Sequence, residues 1–226
     1  MTSPTPRFHP PQQSRSQETL GRILDAAERV LEEKSFGDAT LAEIMERAGV
    51  TVGAFYRRFP DKDALLHHLD DRFFTELRGH AEELLDPVRW NDASFTQVIP
   101  QLARVAVPVF RMRRGLLRTI FIRARTDPKI QATARELNGL FLDKLRVLTD
   151  ARIGEIVHPN PHAAVDLGFR IFVGALRETV VFGEVWPEAP AMSDEQLAHE
   201  LARSYLAYLG IASPLHIPRH DSHQAD

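Results

Sequence analysis

The sequence predicts an all-α protein, a small N-terminal trihelical domain followed by a larger helical one. Three observations predict it. Apolar residues recur at three- and four-residue spacing through most of the chain. Caps, glycines and prolines punctuate that pattern at helix-length intervals. Strand-type alternation is not sustained anywhere, and no internal repeat is visible.

The first helix is predicted over about Ser16 to Lys34. Leu20, Ile23, Leu24, Ala27, Val30 and Leu31 form one apolar stripe, and Ser35-Phe36-Gly37 ends it. The second has a capping-box pattern, in which Thr40 accepts the Glu43 amide and Glu43 reaches back to Thr40. Gly49 stops it. Thr51 caps a short third helix from Val52 to Phe59, which Pro60 closes. Asp61 caps a fourth helix carrying Leu65, Leu66, Leu69 and Phe73. Beyond Asp86-Pro87, helices are predicted at about 94–113, 115–126, 128–153, 161–184 and 193–211.

These divisions give a disordered arm at 1–14, a trihelical domain at 15–60, a linking helix at 61–86, a helical domain at 87–211 and a disordered tail at 212–226. The chain has no Cys, which excludes thiol chemistry and disulfides. It shows no signal-type segment and no apolar run long enough for a membrane span, so the expected location is the cytoplasm. No Walker, Gly-x-Gly-x-x-Gly, His-Glu-x-x-His or Gly-x-Ser-x-Gly pattern is present. His67 and His68 are adjacent and diverge by roughly 100° on a helix. No catalytic residue, metal site or cofactor is therefore expected.

The informative stretch runs from Thr40 to Leu66. Two short capped helices flank a Gly-centred turn, which is the helix-turn-helix layout. Phe55 and Phe59 are expected to pack inward, leaving Val52, Gly53, Ala54, Tyr56, Arg57 and Arg58 outward or sideways. Val52 and Ala54 suit thymine methyls, and an Arg suits guanine O6 and N7. Thr51, Tyr56 and Lys62 suit phosphates. Thr40 and Arg47, on the second helix, complete the DNA-facing candidates, with Arg47 open between a phosphate contact and a salt bridge. Arg7 and Arg15 suit either a minor-groove arm or a solvated tail. The net charge of −3 requires the positive charge to be local, and the acids of the first helix and of Asp61 to Asp71 to face away from DNA.

The run Ala48-Gly49-Val50-Thr51, then Phe55-Tyr56-Arg57-Arg58-Phe59-Pro60-Asp61-Lys62-Asp63-Ala64-Leu65, resembles the signature of the TetR family, with similarity over about residues 16–75. The resemblance implies a DNA-reading head, a linking fourth helix and a divergent, homodimeric effector domain. Val52 and Ala54 depart from it, since members often carry polar residues there. Its expected function is a ligand-responsive regulator, typically a repressor released from a palindromic double-stranded DNA operator by a small molecule. An architectural DNA-binding protein of the same fold and an all-helical enzyme or ligand carrier are the competing classes.

In the effector half, the segment 161–184 is apolar on nearly all sides, and 194–210 carries a broad stripe. Together they suggest a four-helix interface between two subunits. Its candidate residues are Phe169, Phe172, Leu176, Val180, Leu201, Tyr205 and Tyr208. Phe110, Leu117, Arg118, Phe121, Leu137, Phe141 and Phe172 are candidate pocket residues, each equally suited to plain core. Arg118, Arg123 and Arg146 fit either an anionic ligand or solvent.

Overall fold

The computed structural model describes residues 12–186 and 192–211, with side chains from Ser16 onward. Arg7, the side chain of Arg15 and the segment 212–226 with its three histidines lie outside the described residues. Among the described residues there is no strand. The chain runs through α1 (Gln12–Glu33), α2 (Leu41–Ala48), α3 (Val52–Tyr56), α4 (Lys62–Leu84), α5 (Phe95–Met112), α6 (Arg114–Arg123), α7 (Pro128–Asp150), α8 (Pro161–Leu176) and α9 (Asp194–Tyr208). Helix α1 thus begins within the stretch expected to be aperiodic. The predicted helix over 161–184 leaves α-geometry at Leu176 and continues as one π turn, Arg177–Val181.

The described residues form two compact units, one of 12–76 with Arg113–Ala132, the other of Leu77–Met112 with 133–186 and 192–211. The first unit is built on α1. Ile23 and Val30 of α1, Ile44 and Met45 of α2, Phe55 of α3, Phe59, and Leu65 and Leu66 of α4 are all buried. Each such side chain contributes about 1.5–3 kcal/mol by leaving water. Helix α6 belongs to this unit and adds Leu116, Leu117 and Ile120 to the buried residues. Its first turn lies on the backbone of α1. A Cβ on Gly115 would stand 1.9 Å from the Leu31 carbonyl oxygen. The Glu32 carboxylate accepts the Gly115 amide at 3.0 Å.

The second unit packs α5, α8 and α9 around Phe95, Val98, Leu176, Leu201 and Leu206, with Phe141 and Phe169 stacked at its margin, 5.6 Å between centroids. Gly168 admits the ring of Tyr205, whose hydroxyl donates to the Val165 carbonyl at 2.6 Å. Arg152 is buried and donates to the carbonyls of Trp90, Ala93 and Leu148. Of the expected interface residues, Phe172, Leu176, Val180, Leu201 and Tyr205 are buried within the protomer, and Phe169 and Tyr208 are partly buried on the same core. The large apolar side chains that α8 leaves exposed are Leu167 (47%) and Ile171 (52%). Periodicity showed that α8 is apolar all round and could not say which side the protomer itself covers.

Candidate nucleic-acid interface

The turn between α2 and α3 is fixed locally. Thr40 Oγ1 accepts the Glu43 amide at 3.2 Å, starting α2. Glu43 does not close a reciprocal box on the Thr40 amide; its carboxylate meets Lys34 and Arg47. Gly49 ends α2 at φ 64°, in the left-handed region that favours glycine. Thr51 Oγ1 then accepts the Ala54 amide at 3.2 Å and starts α3.

Helix α3 divides into two faces. Phe55 and Phe59 are buried, 5.1 Å apart between ring centroids, and Phe59 meets His68 of α4 edge-on at 5.2 Å. On the opposite side Val52 (46%), Gly53, Tyr56 (57%) and Arg57 are exposed. Positions 52, 53, 56 and 57 follow the i, i+1, i+4, i+5 rhythm of a helix face. Tyr56 keeps one edge on Phe55, 5.2 Å between centroids, which orients the phenol while leaving it in solvent. Among the described residues, no side-chain partner holds the Arg57 guanidinium, and it projects as a charge.

Three residues expected at DNA, Ala54, Arg58 and Lys62, have protein partners instead, and Arg47, left open between a phosphate and a salt bridge, forms the salt bridge. Ala54 is buried, because it shares the inward side with Phe55. Arg58 folds back, donating to the Ala54 carbonyl at 3.0 Å and to Ser16 Oγ at 3.3 Å. Lys62 donates to the carbonyls of Phe36 and Ala39, with its ammonium 4.2 Å from the Phe36 ring centroid, and burial lowers its pKa. Arg47 forks onto Glu33 with two bonds of 2.6 Å and meets Glu43 at 3.1 Å. That fork holds the Glu33 carboxyl below its ordinary range. Thr40 and Thr51 are exposed beside their caps.

Asp25 and Glu28 of α1 are paired within the same unit. Arg72 of α4 bridges Asp25 at 2.6 Å and Glu28 at 2.5 Å. Arg113 joins Glu28 at 3.1 Å and Glu76 at 2.7 Å. Local positive charge on the α3 face therefore comes from Arg57. Arg47→Ala is expected to leave DNA affinity within roughly twofold, since an exposed ion pair contributes little. Titration of a labelled DNA fragment with wild type and variant checks this; a loss on the order of a hundredfold would return Arg47 to the interface.

The expected pocket residues fall in different units. Leu117, Arg118 and Phe121 lie on α6 in the first unit, with Leu117 buried. Phe110, Leu137, Phe141 and Phe172 lie in the second, where Phe110, Phe141 and Phe172 belong to or pack on its core. Arg123, left between ligand and solvent by its sequence, binds Asp70 at 2.7 Å, and Arg146 binds Asp166 at 2.5 Å. No helix among the described residues is long and apolar enough to cross a membrane.

Comparison with known proteins locates the same region. Residues 23–69 match the bacterial regulatory proteins of the tetR family. Two Pseudomonas putida proteins, the probable HTH-type transcriptional regulator ArpR and the HTH-type transcriptional regulator TtgR, are 37% and 36% identical over 93 residues. That stretch is 38% of this chain and 44% of each relative, so the chain spans less than half the length of these two. Among solved structures, a TetR-family regulator from Mesorhizobium loti superposes with a TM-score of 0.66 at 21% identity, covering 87% of this chain and 97% of that one. SmeT, the repressor of the Stenotrophomonas maltophilia multidrug efflux pump SmeDEF, gives 0.63 at 23% identity over 90% and 97%. These two show a common fold. With the α2–turn–α3 geometry and the sequence match over the same residues, the first unit carries a helix-turn-helix of the kind found in the bacterial regulatory proteins of the tetR family.

Proposed function

We propose that the chain is a ligand-responsive repressor that binds a palindromic operator as a homodimer in the cytoplasm and leaves it when a small molecule occupies the second unit. The observation that carries this reading is the split of α3, with Val52, Gly53, Tyr56 and Arg57 exposed over the buried Phe55 and Phe59. A small, open surface flanked by one phenol and one guanidinium without a side-chain partner among the described residues suits close approach to base edges. Thr40 and Thr51 stand beside it as phosphate contacts. The likeness to SmeT, a repressor, supports the repressor class here.

The homodimer reading rests on the exposed Leu167 and Ile171 of α8, one helical turn apart. Leu167→Glu with Ile171→Glu is expected to give a monomer on sedimentation and to weaken operator binding on the order of a hundredfold, because two heads no longer bind together. A doubly substituted protein that stays dimeric and binds normally would place the interface elsewhere.

The function itself is tested by selecting genomic fragments with the purified protein and measuring their affinity at two salt concentrations. The reading predicts a few fragments that share an inverted repeat, bound with steep salt dependence, and released by some compound in an effector screen. Many unrelated fragments bound equally would favour an architectural role. No fragment bound above background would overturn DNA reading.

A further inference from the structure

Asp70 lies on the inner side of α4 and is 3% exposed. One carboxylate oxygen accepts from Arg123 Nη1 at 2.7 Å; the other is buried with no hydrogen-bond partner among the described residues. Arg123 ends α6. Its second amino group, Nη2, is 3.2 Å from Asp127 Oδ2 and 3.4 Å from His67 Nδ1. The other Asp127 oxygen accepts the amides of Lys129 and Ile130 at the start of α7. A single guanidinium thus touches α4, α6 and the cap of α7, all within the first unit.

The charged and titratable groups around it are His67 and Asp71 on α4, Arg123 on α6, Asp127 at the α6–α7 turn, and Lys129 on α7, which is 3.9 Å from Asp71. On the α1 side, Asp25 and Glu28 are held by Arg72. Burial pushes the Asp70 carboxyl up to about 6, and the Arg123 charge offsets this only in part. A half-satisfied buried carboxylate that stabilises little where it stands points to a use.

We propose that Asp70 and Arg123 form a proton-operated latch in the reading unit. Ionised Asp70 draws Arg123 inward and ties the end of α6 to α4. A proton taken from solvent neutralises Asp70, and Arg123, still charged, lets go of Asp70 and stays with Asp127 alone. Because the folded value lies above the ordinary 3.8, proton uptake stabilises the fold as pH falls through about 6, so the latch opens without unfolding. Helix α4 supports the reader directly, through His68 against Phe59 and the buried Leu65 and Leu66. Opening the latch therefore weakens DNA binding, a consequence that rests on the function proposed above; the latch itself does not.

The test is hydrogen exchange in the free full-length protein at pH 7.5 and 5.5, corrected for intrinsic rates. Amides over 120–130 are expected to lose roughly tenfold in protection at pH 5.5 in wild type. Asp70→Asn and Arg123→Gln are each expected to be weakly protected at both pH values. Equal protection of wild type at both, or an Asp70→Asn profile that follows wild type, would overturn the latch. Should the variants fail to fold, carboxyl NMR of wild type decides: Asp70 titrating near 6 together with the Arg123 side-chain signals supports it, and Asp70 titrating in the ordinary carboxylate range overturns it. DNA titrations on the same samples complete the test. Acid-weakened binding in wild type with weak, pH-independent binding in Asp70→Asn supports the coupling, and identical pH profiles overturn it. An intact exchange signal with no DNA bound by any protein at either pH supports the latch and counts against the DNA reading.

Discussion

Gly115→Ala is expected to destabilise the first unit by about 2–4 kcal/mol, overpacking at a site that cannot give. Alanine is the better helix former by about 1 kcal/mol, so propensity alone predicts the opposite sign. Geometry decides between them. The new Cβ would meet the Leu31 carbonyl oxygen at 1.9 Å, the Leu31 carbonyl carbon at 2.4 Å and the Glu32 nitrogen at 2.8 Å. These are backbone atoms within or at the end of α1 and cannot rotate away. Relief requires α6 to lift, which lengthens the Glu32 bond to the Gly115 amide and uncovers the buried Leu116 and Leu117. Urea unfolding followed by far-ultraviolet dichroism reads the effect as a lower midpoint. A variant as stable as wild type would mean that α6 does not approach α1 this closely.

Tyr56→Ala with Arg57→Ala is expected to reduce operator affinity by at least about a hundredfold, with little change in stability. Both side chains are exposed, and the Arg57 guanidinium holds no partner among the described residues, so truncation leaves no buried group unsatisfied. Phe55, whose contact with Tyr56 is lost, remains packed on Phe59. What is removed is one charge and one phenol from each reading surface. In the homodimer proposed above both are lost twice, which accounts for the size of the expected effect.

Much of the reading head was legible because its determinants are local. Thr40, Gly49, Thr51 and Pro60 act within a turn or two of their own positions, and they place α2 and α3 close to where periodicity expects them. The inward pair Phe55 and Phe59 is also a local pattern. Ala54 shows the limit of reading by residue size: small side chains suit both a groove and a packed face, and its neighbour Phe55 turns it inward. The protein partners of the cations were not legible for a different reason. Arg47, Arg58 and Lys62 find their partners at Glu33, Ser16 and Phe36, positions 14, 42 and 26 residues away. Charge patterning reports that cations are present and not which acid or carbonyl reaches them first. Gly115 reads as a separator in sequence, whereas its close contact comes from a helix more than eighty positions upstream. In the effector half an all-round apolar helix defines two faces to be covered, and only packing shows that Leu176 and Tyr205 lie inside while Leu167 and Ile171 lie outside.

In the function proposed above, DNA is read by the exposed face of α3, where the Arg57 guanidinium has no side-chain partner among the described residues. The measurement that tests it most directly is the salt dependence of operator binding by wild type, Arg57→Ala and Arg47→Ala. Arg57→Ala is expected to lose affinity and to lower the slope of log affinity against log salt by about one for each phosphate contact removed, with Arg47→Ala retaining the wild-type slope. An Arg57→Ala protein indistinguishable from wild type, beside an Arg47→Ala protein that loses affinity and slope, would contradict the account and move the interface to α2.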